Sequence, residues 1–335
     1  MGRQMRAIMA MALASTASML GMGDAGAIEL ALPLDCAPGQ SCWVIHHVDN
    51  EPGPGVQDHH CGRLTYDGHD GTDFAIANLR VMQEGVPVLA AAAGTVRGVR
   101  DGEPDQRVEE RGKEAIRGRE CGNGVAIVHG DGLETQYCHL RQGSIAVTAG
   151  DEVVAGTRLG LVGLSGETSF PHLHLAVRKD GKSLDPFTGA TIGSATCPAD
   201  GDGALWSRAA ADQLAYRPIP ITGLGVSPHA PDAAAIRRGE VDATTLKADS
   251  AALVVWMQAY KLEADDRIEL LLLDPSGAVA HRSEVTQKRA QALVMLWTGP
   301  KRRAERWAVG EWRVRATISR GDIRSVEERH IQIEP

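Results

Sequence analysis

Residues 170–177 read FPHLHLAV, and this run places two histidines one residue apart in an apolar segment. In an extended strand, side chains two residues apart project from the same face, so His172 and His174 would share one surface, with Leu173 and Leu175 on the other. Buried imidazoles need hydrogen bonds or a metal ion to offset the cost of leaving water. The run therefore predicts a β-strand that presents two histidines to partners elsewhere in the chain.

A similar pattern extends on both sides of this run, over about residues 62–188. Short runs rich in β-branched residues alternate with glycine-containing turns such as Gly130–Gly132. This spacing predicts an antiparallel β domain with few helices. The mixed-charge run at residues 99–120 interrupts the pattern, and it predicts a solvated loop or short surface helix, with a wall of a binding groove as the alternative.

The remainder of the chain divides by composition. Residues 28–60 are rich in Pro, Gly and Asp and predict a loop-dominated segment pinned by a small disulfide, ahead of the β domain at 61–188. Residues 189–245 predict a linker with one amphipathic helical piece near residues 206–216. From 246 to 335 a second alternating pattern predicts a small immunoglobulin-like β-sandwich. We therefore expect a mostly β chain with an antiparallel β domain followed by a C-terminal sandwich.

The first 27 residues have the features of a secretory signal peptide. Arg3 and Arg6 precede an apolar run, and Ala25 and Ala27 form a small-residue cleavage site. This run is too short and wrongly flanked for a membrane-spanning helix, although an uncleaved anchor is the alternative. No later run is long and apolar enough to cross a bilayer. We expect a periplasmic or secreted protein without a membrane span after cleavage.

The formal net charge is −8, from 35 basic and 43 acidic residues, and there is no basic stripe. Nucleic acid is therefore not an expected partner. All six cysteines lie after residue 27, and an even count in an exported chain predicts disulfides. Six cysteines allow fifteen connectivities. The pairing that we favour is Cys36–Cys42, Cys121–Cys138 and Cys61–Cys197.

Candidate partners for the histidine pair lie upstream of it. His69 and Asp73 occur in GHDGTDF at 68–74, and His139 occurs in YCHL at 137–140. A catalytic zinc takes three protein ligands, commonly imidazole nitrogens and a carboxylate oxygen, and leaves one position for water. His69, Asp73 and one histidine of His172 and His174 would supply these ligands. The other histidine and His139 would then lie beside the metal.

Each of these signals has an ordinary structural explanation when it is taken alone. A single histidine in an apolar strand is usually a hydrogen-bonded structural residue, and G-H-x-G-x-D can be a turn closed by an aspartate. The adjacent pairs His46-His47 and His59-His60 are expected to be surface or hydrogen-bonded residues, with His59-His60 the first exception to consider because of its nearness in sequence to the proposed site. The combination of H-x-x-x-D, Y-x-H-L and H-x-H in one β domain is what favours a metal site.

Three segments, GHDGTDF, QYCHL and SGETSFPHLHLAV followed by LDPF at 184–187, together resemble the lysostaphin-like (LytM-type) zinc metallopeptidases, which cut the peptide part of peptidoglycan. The resemblance covers about residues 62–188 and implies a duplicated-hybrid-type β core. It implies that His69, Asp73 and His174 bind one zinc ion per chain and that His139 and His172 are catalytic. All five positions match the active pattern, so we expect an exported zinc endopeptidase whose substrate is a peptidoglycan peptide.

Three alternatives remain. The first is a catalytically silent regulator with the same fold, which would bind peptidoglycan or activate an amidase. The second is a biotinyl- or lipoyl-type carrier, because GVPVLAAAAGTV and AGDEVVAGTRLG have a similar strand and turn spacing, but neither stretch presents a lysine at a hairpin tip. The third keeps the peptidase activity and replaces the substrate by a glycine-rich protein.

Overall fold

A computed structural model describes residues 28–194, 197, 203–303 and 305–335. The predicted signal peptide at 1–27 lies outside these residues. The chain is mostly β and its sheets are almost entirely antiparallel, as the sequence predicts. No helix within the described ranges is long and apolar enough to span a membrane.

A first domain, residues 28–216, is organised around one large sheet. Its strands are β1 (Cys42–His46), β2 (Gly71–Ile76), β3 (Pro87–Leu89), β4 (Gly94–Arg100), β5 (Asn123–Val128), β6 (Leu133–Leu140), β7 (Glu152–Val153), β8 (Arg158–Leu161), β9 (His172–Lys179) and β10 (Lys182–Leu184). The large sheet has the order β1-β2-β9-β6-β5-β4-β7, with β10 paired to β9, and β3 pairs with β8 separately. Every one of these pairings is antiparallel.

The first domain also contains three short helices. They are α1 (Leu79–Glu84), α2 (Val108–Arg111) and α3 (Arg208–Ala211), with 3-10 turns at Lys113–Ile116 and Gly130–Gly132. The predicted helical piece near 206–216 is limited to α3. Trp206, Ala210 and Leu214 around it are buried in the core of the first domain. Because burying apolar surface stabilises the fold, this part of the predicted linker belongs to the first domain.

Three disulfides tie the first domain together. They are Cys36–Cys42, Cys61–Cys197 and Cys121–Cys138, which is the pairing favoured from the sequence. Cys121–Cys138 links the turn before β5 to the end of β6. It therefore lies directly beside His139.

A β-sandwich follows, with its core built from residues 219–333. Its strands are β11 (Ile221–Ser227), β12 (Thr245–Lys247), β13 (Val254–Leu262), β14 (Arg267–Leu273), β15 (Val279–Thr286), β16 (Gln291–Thr298), β17 (Gly310–Arg320) and β18 (Ile323–Glu334). One sheet has the order β11-β13-β16 and the other the order β12-β18-β17-β14-β15. The short pair β12 and β18 is parallel. Apolar side chains of both sheets fill the space between them.

The sandwich includes residues that the sequence assigned to the linker 189–245. Strand β11 pairs with β13, and a helix α4 (Ala233–Arg238) follows it, capped by the Asp232 side chain. A Cβ at Gly223 or Gly225 would lie 2.8 Å from the Trp256 ring. Small residues are thus needed where this ring crosses the strand, and the resulting glycine-rich composition resembles a linker.

The sandwich contacts the first domain beside the histidine-bearing strands. Trp43, Ile45 and Ala75 pack with Tyr260 of β13 in a small apolar cluster. Lys261 donates a hydrogen bond to the backbone carbonyl of Thr65. These contacts place β13 next to the segment that carries the predicted site.

Candidate metal centre and active site

The strand register brings residues from distant segments onto one face. Strand β2 pairs with β9 so that Asp73 lies opposite His174, and Ala75 lies opposite His172. Strand β6 pairs with the other edge of β9, with Cys138 opposite His174. Residues directly opposite one another across an antiparallel pair point to the same side. Asp73 and His174 therefore converge, and His69 joins them from the turn that precedes β2.

One atom of each of these three residues lies within about 3 Å of the other two. The distances are 3.1 Å from His69 Nε2 to Asp73 Oδ1, 3.1 Å from His69 Nε2 to His174 Nδ1, and 2.9 Å from His174 Nδ1 to Asp73 Oδ1. A tetrahedral zinc ion with bonds of about 2.0–2.1 Å would place its ligand atoms about 3.3 Å apart. Two imidazole nitrogens and one carboxylate oxygen with this spacing fit a zinc ion.

Outer contacts determine which ring nitrogens face this point. His69 Nδ1 donates to the backbone carbonyl of His47 at 2.7 Å. His174 Nε2 lies 3.3 Å from a carboxylate oxygen of Asp70, and Asp70 also accepts a hydrogen bond from Arg178. In their neutral forms, rings held in this way present lone pairs on His69 Nε2 and His174 Nδ1. With Asp73 Oδ1, three acceptor atoms then point at one another, an arrangement that a cation stabilises.

The electrostatics of these residues agree with this need for positive charge. Burial alone would raise the pKa of Asp73, but the surrounding imidazoles of His69 and His172 hold that pKa well below its usual value. Burial alone would lower the pKa of His174, whereas contacts with Asp70 and Asp73 raise it to about 9. These residues therefore favour an ionised Asp73 beside a positive charge, which a proton on His174 or a cation between the three atoms can supply.

His46 is a residue of this site that the sequence analysis did not assign to it. It is buried at the end of β1, and its Nδ1 lies 2.8 Å from Asp73 Oδ2. Burial, although opposed by Asp73, lowers the pKa of His46 to about 4, so at neutral pH the ring is uncharged and Nδ1 donates to the carboxylate. The second oxygen of Asp73 is thereby held away from the point where His69 and His174 meet.

His139 and His172 lie beside the three converging atoms. Their ring centroids are 4.6 Å apart, and His139 is 5.9 Å from His174 by the same measure. His139 Nδ1 donates to the carbonyl of Ser165 at 2.8 Å, and His172 Nδ1 donates to the carbonyl of Phe170 at 3.0 Å. Both rings therefore keep Nε2 for other partners, and His172 Nε2 is 3.5 Å from Asp73 Oδ1.

The backbone and burial of His139 are unusual for a strand residue. Its φ is 64°, in the left-handed region that side chains other than glycine rarely adopt. Such strain is found at sites whose surroundings enforce it, and here the neighbouring Cys121–Cys138 disulfide and the bond to Ser165 do so. Burial, together with His172 and His174, keeps the pKa of His139 well below its ordinary value. At neutral pH the ring is an uncharged base.

His47, His59 and His60 form a separate cluster next to His69. His47 and His59 pack edge to face, and His59 stacks on Phe187 with ring centroids 4.6 Å apart. His60 stacks on Tyr216. His59 Nδ1 lies 4.0 Å from Asp185 Oδ2. Neither His59 nor His60 belongs to the group of ligand-type residues around Asp73, so this pair is not the exception that its nearness in sequence suggested.

This cluster predicts an acid-sensitive stability. Burial, reinforced by His60, lowers the pKa of His59 from 6.5 to about 4. Between pH 6.5 and about 4, His59 is therefore protonated in the unfolded chain but largely neutral in the folded chain. The stability that the neutral ring provides above pH 6.5 is lost as the pH falls towards 4. At pH 5 the loss of folding free energy amounts to about 2 kcal/mol for His59 alone.

The variant His59→Phe, which keeps a ring against Phe187, should show a free energy of unfolding that depends less on pH between 7 and 5. Urea unfolding of both chelator-treated proteins tests this, and equal pH dependence would contradict it.

The mixed-charge run at 99–120 packs against the loop that leads into β9. The backbone amide of Val108 donates to the carbonyl of Thr168, and Ser169 donates to Glu109. Lys113 forms an ion pair with Glu167 at 2.6 Å. The run carries the short, exposed helix α2, as the first prediction for it has it, and it borders the loop that carries Phe170 and leads to His172.

Comparison with known proteins adds a family match over this region. Residues 67–186 match the sequence family described as Peptidase family M23. An "Uncharacterized metalloprotease" of Haemophilus influenzae is 32% identical over 36% of this chain and 20% of its own length. The "Peptidoglycan DD-endopeptidase ShyA" of Vibrio cholerae is 33% identical over 35% of this chain and 22% of its own. The chain thus spans about a fifth of the length of these relatives.

Among solved structures, the catalytic domain of the antimicrobial peptidase lysostaphin from Staphylococcus simulans is similar to this chain. The match covers 42% of this chain and 86% of that domain, with 22% identity and a TM-score of 0.27.

Proposed function

We propose that this chain is a zinc-dependent endopeptidase that hydrolyses peptide bonds in peptidoglycan, because residues 67–186 match the model of peptidase family M23. The observation that supports this best is the convergence of His69 Nε2, Asp73 Oδ1 and His174 Nδ1 within 3.1 Å of one another. The name of the Vibrio cholerae relative supports the choice of peptidoglycan as substrate. The resemblance to the lysostaphin-like peptidases, stated from the motifs, agrees with this family.

We assign His69, Asp73 and His174 as the ligands of one zinc ion per chain. When bound, zinc would polarise the scissile carbonyl and make water more acidic. His46 and Asp70 act through these ligands, because His46 holds Asp73 and Asp70 faces the second nitrogen of His174. The carbonyl of His47 sets the ring of His69.

His139 and His172 are assigned to proton transfer. Their Nδ1 atoms donate to backbone carbonyls, so each ring can accept a proton at Nε2 and later release it. Hydrolysis of an amide needs both steps, since the attacking water loses a proton and the leaving amine gains one. An uncharged His139 at neutral pH is ready to accept the first of these protons.

The catalytically silent regulator is the alternative that this site disfavours, because all three ligand positions and both catalytic positions carry the required residues. The three disulfides support a periplasmic or secreted location, since such bonds persist in oxidising compartments.

Zinc analysis of the purified full chain tests the proposal. We expect one zinc per chain by elemental mass spectrometry and cleavage of purified peptidoglycan that stops on chelation and returns with added zinc. A folded chain that binds no zinc, or that carries zinc and releases no peptide, would support the silent regulator instead.

A further prediction concerns His46, whose hydrogen bond orients Asp73. His46→Ala should weaken zinc affinity by about 10- to 100-fold, the usual effect of removing a partner that orients a metal ligand. Competition with a chromogenic chelator measures this affinity. His330→Ala, a change at an exposed sandwich histidine, serves as the matched control and should leave the affinity unchanged. An unaltered zinc affinity in His46→Ala would remove His46 from the site.

A further inference from the structure

A pocket of about 190 Å³ opens where the first domain, the charged run at 99–120 and the sandwich meet. Its apolar walls come from Phe170 and Pro171, which precede β9, and from Tyr260 and Leu293 of the sandwich. Concave sites with an apolar lining and a few polar groups are the usual form of a ligand pocket. The question is which chemistry its polar groups would recognise.

The pocket lies close to His172. The ring centroid of Phe170 lies 4.7 Å from that of His172 and 5.0 Å from that of Tyr260. One aromatic ring therefore separates the pocket from His172. A peptide that reacts beside His172 could place a neighbouring part of its chain in this pocket.

The charged lining consists of three arginines, Arg107, Arg237 and Arg238, and one carboxylate, Glu110. Arg107 is paired with Glu110, and Arg238 is paired with Glu240 at 2.5 Å. Arg237 forms no ion pair with any residue that the structure describes, and the hydroxyl of Tyr260 forms no hydrogen bond there either. The pocket thus combines one uncompensated guanidinium and one free phenol with an apolar floor.

We infer that this pocket binds the C-terminal carboxylate of the peptide substrate, with Arg237 and Tyr260 as donors. A guanidinium pairs with a carboxylate through two parallel N–H bonds, and charge-assisted bonds of this kind are stronger than neutral ones. The apolar floor suits a small aliphatic side chain next to that carboxylate. The inference rests on the proposed function, and it names the end of the peptide that the chain selects.

The pocket also indicates what the sandwich contributes. Arg237 and Tyr260 lie outside the family match at 67–186, so the recognition belongs to this chain's own C-terminal part. Arg237 is on α4 and Tyr260 is on β13, which the apolar contact with Trp43 and Ala75 holds against the first domain. The sandwich would therefore act in substrate selection.

The test uses two probes that differ in one group: peptidoglycan stem peptides with a free C-terminal carboxylate, and the same peptides with a C-terminal amide. Binding to the full chain carrying His139→Ala is measured by titration calorimetry, so that turnover does not interfere. We expect the carboxylate peptide to bind about tenfold more tightly or better, as a charge-assisted bond allows. Arg237→Gln should abolish the difference and Tyr260→Phe should reduce it. Arg282→Gln, on strand β15, does not line the pocket and should preserve it.

Equal binding of the two peptides, a preference that survives Arg237→Gln, or no measurable binding of either peptide would overturn the inference. Failure of the proposed function has a different signature. If the wild-type chain cleaves neither peptide while the carboxylate preference depends on Arg237, the pocket stands and the assigned hydrolysis does not.

Discussion

Replacing His174 by alanine is expected to abolish zinc retention and peptidase activity together. His174 Nδ1 lies within 3.1 Å of the other two proposed ligand atoms, and without it only His69 and Asp73 remain. Two ligands are fewer than the three that hold a catalytic zinc. Because the metal's effect on the carbonyl contributes several kcal/mol, the loss of activity should be roughly a thousandfold or more. Elemental analysis and release of peptides from purified peptidoglycan measure the two effects.

The fold should survive this change. Leu173 and Leu175, on the other face of β9, are fully buried and remain in the core. Circular dichroism should therefore be unchanged, and His330→Ala should keep both zinc and activity. A folded His174→Ala protein that retains one zinc per chain would show that another residue supplies the third ligand.

Replacing His139 by alanine should separate metal binding from catalysis. Its ring centroid is 5.9 Å from that of His174, and its Nδ1 donates a hydrogen bond to the carbonyl of Ser165 rather than pointing at the proposed metal ligands. We expect full zinc content and a decrease in kcat of about 10²- to 10⁴-fold, the usual contribution of a positioned acid or base. The measurements are zinc stoichiometry and the initial rate of peptide release on the same preparation.

The two variants form a matched pair, because both remove an imidazole from one small region. Loss of zinc in His139→Ala would make His139 a ligand. Undiminished turnover would remove it from proton transfer and leave His172 as the candidate.

The sequence is informative where the chemistry is local or the spacing is regular. The period of two in HLHL places His172 and His174 on one face of β9, and the alternation in residues 62–188 indicates antiparallel strands. The three cysteine pairs also agree with the sequence prediction. The five motif residues could be named because their types and spacing match one family, but no spacing shows that β2, β9 and β6 are neighbours.

Features that depend on pairing between distant segments could not be predicted. His46 reaches Asp73 only because β1 pairs with β2, and a histidine at the end of the apolar run CWVIH was the only local sign of it. Strand β11 looked like a linker because Gly223 and Gly225 accommodate a tryptophan that lies more than thirty residues further along the chain. The pocket at Tyr260 requires the contact between two domains, which leaves no periodic pattern.

The central claim is that His69, Asp73 and His174 hold a zinc ion that is needed to cut peptide bonds in peptidoglycan. Mass spectrometry of the fragments released from purified sacculi, with and without a chelator, tests it most directly. We predict fragments that carry new amino and carboxyl ends at cut peptide bonds, while the glycan strands stay uncut. The chelator should abolish these fragments, and added zinc should restore them. Fragments that persist undiminished in the chelator, or zinc-loaded folded protein that releases none, would contradict it.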